Sequence, residues 1–385
     1  MRLAWLNQAH QHLCVIRHKV LTTDIQFFPD LASGTTINRD ETSPLTLAEV
    51  GPLNPGILRF EELCQQLLRE CKTSFLERYP SGQLTVLIQT TAADKAAEEE
   101  SFIRLWAQEA LPWTPAIHVL PNELPSTSWN TYLSAVRAPL LVLALHYRQP
   151  DENLPEFACA LLLFPEAMLR PSEQRDAVRV FRAMPLNTGA LPRELAELRD
   201  MAQQPPHVKH LVWFSGLPAS ASQAVGRVVR SLPLPLHDDI ATGGVINFTE
   251  ACADYGHCAG WLMMAAATEM VNYGPGSHWL LQSDGKQASA TVVGNSLPVI
   301  RDEDRKAPPL PYPAGSLCFA LLLNVVTYGA IGHFFPEWLF SWFGVLSVLL
   351  SLTVTLPGAV FILRFTITCL LRPRFIQAAG LAKKE

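Results

Sequence analysis

Apolar positions along the first 300 residues switch repeatedly between a spacing of three to four and an unbroken run. Ile57, Phe60, Cys64, Leu67, Leu68, Cys71 and Phe75 sit at helical spacing. QLTVLIQT (83 to 90) then reads as a strand, 99 to 110 as a helix, and AIHVLP (116 to 121) as a short strand. The apolar run PLLVLALHY (139 to 147), the turn residues RQPDEN and the run EFACALLLF (156 to 164) predict two adjacent buried strands. Leu191, Leu195 and Leu198, with Pro192 at the start, predict a helix over 191 to 203. HVKHLVWFSG (207 to 216) follows as a strand, and 219 to 232, with Val225, Val228 and Val229, as a helix. Residues 254 to 273 read as a buried helix rich in Ala and Met. HWLLQS and QASATVVG, joined at Asp284-Gly285, read as a hairpin. The alternation predicts an α/β architecture.

Beyond residue 315 the pattern changes. Segments 316 to 335 and 338 to 363 carry no formal charge apart from that of the short join between them, Pro336 and Glu337. Each reaches the ~20 residues that cross a ~30 Å hydrocarbon core, so the pair predicts a transmembrane helical hairpin over 316 to 363. Arg301, Arg305 and Lys306 precede it and Arg364, Arg372, Arg374, Lys383 and Lys384 follow it, while the join has no Lys or Arg. The positive-inside rule then places both flanks in the cytoplasm, with 364 to 385 as a basic cytoplasmic tail. Trp338, Trp342 and Tyr328 are candidate interfacial anchors, with side-chain packing the alternative for Tyr328. Pro357 and Gly358 predict a kink. With no Asp, Glu, Lys or Arg inside the spans, the hairpin reads as an anchor and not a channel. RDEDRKAPPLPYPAG (301 to 315) reads as a semi-rigid linker to a cytoplasmic α/β domain over 1 to 300.

Composition narrows the function classes. The 385 residues are 49% hydrophobic, enough for a sizeable core, and carry a net charge of −5. Because the C-terminal segment is basic, the rest is more acidic still, and a nucleic-acid partner is excluded. Eight cysteines without CxxC spacing indicate neither a disulfide framework nor a zinc site. The N-terminus breaks its apolar residues with Asn, Gln and His, so it does not read as a signal peptide.

Other candidate chemistry is thin. Cys252, His257, Cys258 and His278 match no zinc spacing. Ser277 beside His278 lacks a GxSxG frame, and ATGGVINF (241 to 248) lacks a phosphate-loop frame and reads as a turn. His237, Asp238 and Asp239 read as solvated surface, and Met263 and Met264 as adaptable core. No metal or cofactor is expected.

The order of GHCAGWLMMAAATEMV, an apolar strand, a DG turn and a second apolar strand resembles the C-terminal half of the thiolase and β-ketoacyl synthase fold. SWNTYLSAVRAPLLVLALHY followed by EFACALLLF resembles the helix, strand, turn and strand that follow the synthase nucleophile. The resemblance implies a thiolase-like layered domain of two similar halves, about 50 to 170 and 205 to 295, with His257 at the position of an active-site histidine. It also implies a cysteine nucleophile at the start of the first helix. Residues 121 to 134 contain no Cys, only Ser126, Thr127 or Ser128 stands near that place, and no HGTGT-like stretch surrounds His237. The covalent step of a condensing enzyme is thereby lost.

The last third is also similar to the type VI lipase adapter family of bacterial type VI secretion clusters. Together these readings imply a non-catalytic adaptor or scaffold at a bacterial inner membrane, with a secreted effector or spike protein as partner and a homodimer as a further expectation. The alternative is a membrane-associated acyl-transfer or condensing enzyme using His257 and Ser128. A small transporter subunit ranks third.

Overall fold

A computed structural model describes residues 2–24, 26–33, 45–47, 56–79, 81–92, 94–135, 138–147, 153–237, 243–251, 253–274, 276–298 and 314–378. Nearly all of the expected linker, together with Cys252, Asp238, Asp239 and residues 379 to 385, lies outside them. The chain divides into two compact units, Met1–Arg305 and Lys306–Glu385.

The first unit carries eleven described strands: β1 (His12–Thr22), β2 (Gly82–Thr90), β3 (Trp113–Val119), β4 (Leu140–His146), β5 (Phe157–Phe164), β6 (Val178–Phe181), β7 (Met184–Pro185), β8 (His210–Ser215), β9 (Val245–Asn247), β10 (Ser277–Ser283) and β11 (Ala288–Gly294). Its helices are α1 (Arg2–Ala9), α2 (Phe27–Ser33), α3 (Ile57–Arg78), α4 (Lys95–Gln108), α5 (Pro125–Ala135), α6 (Pro171–Asp176), α7 (Leu191–Asp200), α8 (Ala219–Ser231), α9 (Phe248–Ala251) and α10 (Ala259–Tyr273).

The strands hydrogen-bond in the order β3-β2-β4-β5-β1-β6-β11-β10-β8-β9, with β7 on β11. Read from either edge inward, and leaving out the two-residue β7, each half has its third, second, fourth, fifth and first strand in succession. In each half the third, second and fourth strands are parallel and the fifth is antiparallel to the fourth. The halves meet where β1 pairs antiparallel with β6. They therefore begin earlier than expected, at His12 and Val178, and not near residues 50 and 205. The opening strands escape the hydrophobic pattern because β1 interrupts its apolar residues with Arg17, His18 and Lys19, and β6 has only four residues.

Period-two alternation sorts the strand side chains into separate cores. Leu140, Val142 and Ala144 of β4, and Phe157, Cys159 and Leu161 of β5, join a central cluster with Trp213, Leu280 and most of α10. Their neighbours Leu141, Leu143, Ala158 and Leu162 join a second cluster with Phe60, Leu67 and Phe102 of α3 and α4. Val212, Trp279 and Leu281 pack with Leu195 and Val225 of α7 and α8 in a third. Five layers result: outer helices, half-sheet, central helices α5 and α10, half-sheet, outer helices. Every residue of β4, β5, β8, β10 and β11 is buried, and in β4 and β5 this shows in the sequence as nearly unbroken apolar runs. α10 is apolar nearly all round for the same reason.

In the second unit a helix spans Ala314–Phe334, and a short helix, Pro336–Leu339, occupies the join. The next long helix begins at Trp342, where Ser341 Oγ accepts from Gly344 N–H, and not at residue 338. A π-helical stretch, Ser351–Thr355, precedes Leu356–Ala378. The irregular winding falls one turn before Pro357, whose missing N–H cannot serve the carbonyl four residues back. The helix continues past residue 363, so 364 to 378 of the expected basic tail is helical. Segments Leu317–Phe334 and Trp342–Ile367 are long and apolar enough to cross a membrane. Asn324 and Ser351 exchange hydrogen bonds of 2.9 and 3.1 Å, and Tyr328 O–H donates to the Ser347 carbonyl at 2.9 Å. Tyr328 is thus a packing residue between these helices.

Candidate functional site

Parallel strands of an α/β sheet leave their C-terminal ends facing helix N-termini, the place where such folds gather polar groups. Here the ends of β2 and β4 face the entry to α10. Asp254 Oδ1 accepts from Gly256 N–H at 2.9 Å, Gly256 takes a left-handed φ of +54°, and a 3-10 turn over Gly256–Cys258 presents His257. His257 Nε2 lies 3.0 Å from the Thr90 carbonyl, an acceptor only, so Nε2 carries the proton. The His257 carbonyl accepts from Gln282 Nε2 at 3.1 Å, across Gly260, where an added Cβ would fall 2.0 Å from Gln282 Oε1. Burial lowers the His257 pKa, so the imidazole is neutral near pH 7.

Thr90 joins His257 to a buried polar cluster. Its carbonyl also accepts from Lys95 Nζ at 2.9 Å, and its hydroxyl donates to Glu98 Oε1 at 2.5 Å. Tyr147 O–H donates to the same oxygen at 2.9 Å, and Lys95 Nζ stands 3.8 Å from Glu98 Oε2. Glu98 is fully buried, and desolvation raises its pKa against the pull of Thr90 and Lys95. Desolvation, with the Glu98 charge beside it, also pushes the Tyr147 phenol up. His146 Nδ1 meets Thr91 Oγ1 at 2.5 Å.

Beside this cluster the two central helices interlock. Trp129 of α5 and Trp261 of α10 are fully buried and meet edge to face, with centroids 6.4 Å apart. Trp261 Nε1–H donates to Gln89 Oε1 at 2.6 Å, and Gln89 Nε2 donates to the Pro121 and Glu123 carbonyls at 2.7 and 2.8 Å. Trp129 Nε1–H donates to the Phe181 carbonyl at 2.8 Å. Gln89 therefore ties the loop before α5 to α10 with all its polar atoms used.

The candidate nucleophile Ser128 lies in the first turns of α5, after Pro125, Ser126 and Thr127. Among the described residues, no histidine hydrogen-bonds to Ser126, Thr127 or Ser128, so the pairing of Ser128 with His257 is not formed. Cys258, adjacent to His257, is fully buried, and desolvation holds its thiol protonated. Burial likewise raises Cys14 and Cys71 to about 12, and raises Cys64 and Cys159. A buried thiol is a poor nucleophile.

His278 sits on β10 with its ring 4.8 Å from that of Trp213, away from the turn that holds His257 and Cys258. Ser277 bonds His210 Nδ1 at 2.9 Å, and both are buried. Gly243 and Gly244, with φ of +58° and +79°, form a turn into β9, as the glycine pair implies.

Of the site, only His257 stands out in the sequence. Glu98 lies in AADKAAEEES, which reads as a solvated charge run, and its burial depends on Tyr147 and Thr90, both remote or in another element. The signal for Gln89 and Thr90 is two polar residues that follow the apolar run Val86, Leu87 and Ile88 at the end of β2.

No protein-family model matches the sequence, and no curated protein matches it. In structure, the chain is similar to a chain from the complex of a type II polyketide acyl-carrier protein with its ketosynthase (TM-score 0.51, 10% identity, covering 74% of this chain and 99% of that one). It is also similar to an oxazolomycin ketosynthase domain of Streptomyces albus (TM-score 0.49, 11% identity, 76% and 98% covered) and to cerulenin-bound OleA of Xanthomonas campestris (TM-score 0.47, 10% identity, 75% and 98% covered). With the duplicated strand order, the first likeness establishes a mixed α/β fold of the thiolase and ketosynthase type.

Proposed function

We propose that this protein is a non-catalytic adaptor: a thiolase-like domain that binds a protein partner and is held to a membrane by its C-terminal helices. The observation that carries the reading is the filled crevice between the central helices. Trp129, Trp261 and Gln89 occupy the interior beside His257, no cysteine stands at the start of α5, and the described thiols of this unit are buried and protonated. A condensing enzyme needs a nucleophile there and room for an acyl chain. His257 in turn spends its Nε2 proton on a backbone carbonyl, which suits a positioned structural histidine.

The anchor is supported by the outward-facing Phe319, Leu322, Val325, Phe343, Phe361 and Ile362 on helices of membrane-spanning length. Arg and Lys on both flanks, with none in the join, favour an inner-membrane hairpin with both ends cytoplasmic. The narrower reading, an effector-recruiting accessory protein of a type VI secretion system, is supported by the order of elements in the last third alone.

Incubation of the detergent-solubilised full chain with acyl-coenzyme A or acyl-carrier protein, followed by intact-mass measurement, tests the proposal. An adaptor gives no covalent acyl adduct, and its circular dichroism is unchanged in Ser128→Ala. An acyl adduct that disappears in Ser128→Ala and slows in His257→Ala overturns it and installs the condensing enzyme.

A further inference from the structure

Where the two halves join, three metal-ligating side chains converge on the outer face of the sheet. His12 and Cys14 are two residues apart on β1 and so share a face. Glu166 lies just beyond β5, which pairs with β1 through Cys14 and Phe164. One donor atom from each gathers within 4.8 Å of the others. Cys14 is fully buried, and the His12 and Glu166 side chains are 11% and 33% exposed.

The hydrogen bonding fixes what these atoms offer. His12 Nδ1 is 2.8 Å from the His10 carbonyl, which can only accept, so the ring proton is on Nδ1. Nε2 then presents a lone pair, and it faces Glu166 Oε2 at 3.3 Å with no hydrogen-bond donor of its own. Two acceptors and a thiol sulfur thus point at one another. The other carboxylate oxygen, Glu166 Oε1, accepts from Arg179 at 3.1 Å, and Arg179 is directly across from Cys14 in the β1–β6 pair. Arg179 is in turn held by the Ala177 and Asn295 carbonyls at 2.8 and 3.2 Å and by the Gln174 carbonyl.

We propose that His12 Nε2, Cys14 Sγ and Glu166 Oε2 bind a divalent transition-metal ion of the zinc type. Imidazole, thiolate and carboxylate are the donor set zinc takes, with water completing the coordination. The Nδ1–H to His10 carbonyl bond and the Arg179 to Glu166 bond are the outer contacts that orient such ligands. A tetrahedral ion with bonds of about 2.0–2.3 Å spaces its donors about 3.3–3.7 Å apart, so donors within 4.8 Å close on it by side-chain rotation. Binding breaks the Cys14 S–H bond, forms a metal–sulfur bond and releases one proton to solvent. The guanidinium of Arg179 opposes the ion's charge, and the thiolate and carboxylate offset it. The ion would pin β1, the end of β5 and, through Arg179, β6, so its role is to staple the two halves.

The test uses the untagged full chain in detergent, titrated with zinc and then with cobalt. The expected result is one ion per chain, a sulfur-to-cobalt charge-transfer band, release of about one proton and a higher melting temperature. Cys14→Ser removes the band, and His12→Gln or Glu166→Gln weakens binding by more than about 100-fold, beyond the roughly 10–100-fold losses seen for outer contacts. Because Cys14 is a core residue, Glu166→Gln, at a partly exposed position, is the variant that keeps the test valid if Cys14→Ser does not fold. Absence of stoichiometric binding overturns the proposal, as does zinc or cobalt binding that is unchanged in the His12→Gln and Glu166→Gln proteins.

Discussion

The two halves of the domain share one strand order and differ in how they bury polar groups. The first half, β1 to β5, buries ions in pairs. Arg59 of α3 and Glu156 beside β5 are each 2% exposed and meet at 2.7 Å. Arg59 Nε also donates to Glu156 at 3.0 Å, its second nitrogen donates to the Leu47 carbonyl, and Glu62 lies 3.0 Å away. Glu98 is buried in the same half. The second half, β6 to β11, packs α7 and α8 on its sheet through aliphatic side chains, buries the histidines His210 and His278, and pairs its fully buried Arg179 with Glu166 at 3.1 Å, at the join with the first half. Burial lowers His210 to about 4 and His278 to about 3, the latter with His210 and His237 adding to the effect. One topology thus tolerates two solutions to polar burial, provided each buried charge finds a partner or is neutral. The candidate site draws Thr90 and the buried Glu98 from the first half and His257 from the second.

The comparison breaks most sharply at the ion pair. Glu156→Ala strands a guanidinium in the core and should cost about 3–5 kcal/mol, read as a lowered denaturation midpoint. The double replacement Arg59→Met with Glu156→Leu should recover most of that loss, because two buried charges are replaced by apolar volume. If the double variant stays as unstable as the single one, the pair is not the element that holds α3 to β5.

His210 and His278 of the second half should respond to acid in the opposite sense to Glu98 of the first. His210 and His278 have folded pKa values below 6.5, so the unfolded chain binds more protons as pH falls from 6.5 toward 4. Stability is complete above pH 6.5 and is lost below it, by roughly 1.4 kcal/mol per pH unit for each histidine at the limiting slope. Glu98 has the reverse sign: its raised pKa leaves the folded state fully favoured below 4.5 and costs stability as pH rises. Hydrogen exchange at pH 5 should therefore loosen β8 and β10 before β2 and β4, and His278→Gln should flatten the acid slope. Loosening of β2 and β4 first would reverse the assignment.

The smallest expected effect lies between the halves. Gln89→Leu leaves Trp261 Nε1–H and two carbonyls without their partner and should cost about 1–3 kcal/mol, with the Trp261 fluorescence altered. An unchanged midpoint would mean that water replaces the glutamine and that the crevice is less tightly filled than its hydrogen bonds imply.

Local pattern made much of this fold legible. β4 and β5, β8, and the β10–β11 hairpin stand out as buried runs, and Asp284 marks its own turn by accepting from Lys286 and Gln287 N–H. β1 was hidden because only four of its eleven residues are buried, and its pairing with β6 spans a long sequence separation. His257 was legible because Gly256 and the small residues after it form a recognisable helix entry. His12, Cys14 and Glu166 were not, because two residues on one strand acquire a third ligand only when β5 delivers it.

By itself, the sequence determined which segments must be buried: period and run length are properties of consecutive residues, and burial follows from them. It also determined the apolar C-terminal helices and the missing cysteine at the start of α5. Only the tertiary structure decided what those segments bury against, which makes Glu98 a core residue and sets Trp129 against Trp261. Contacts between residues distant in the chain depend on sheet order, and sheet order is set by the packing of all layers together, which no local pattern encodes.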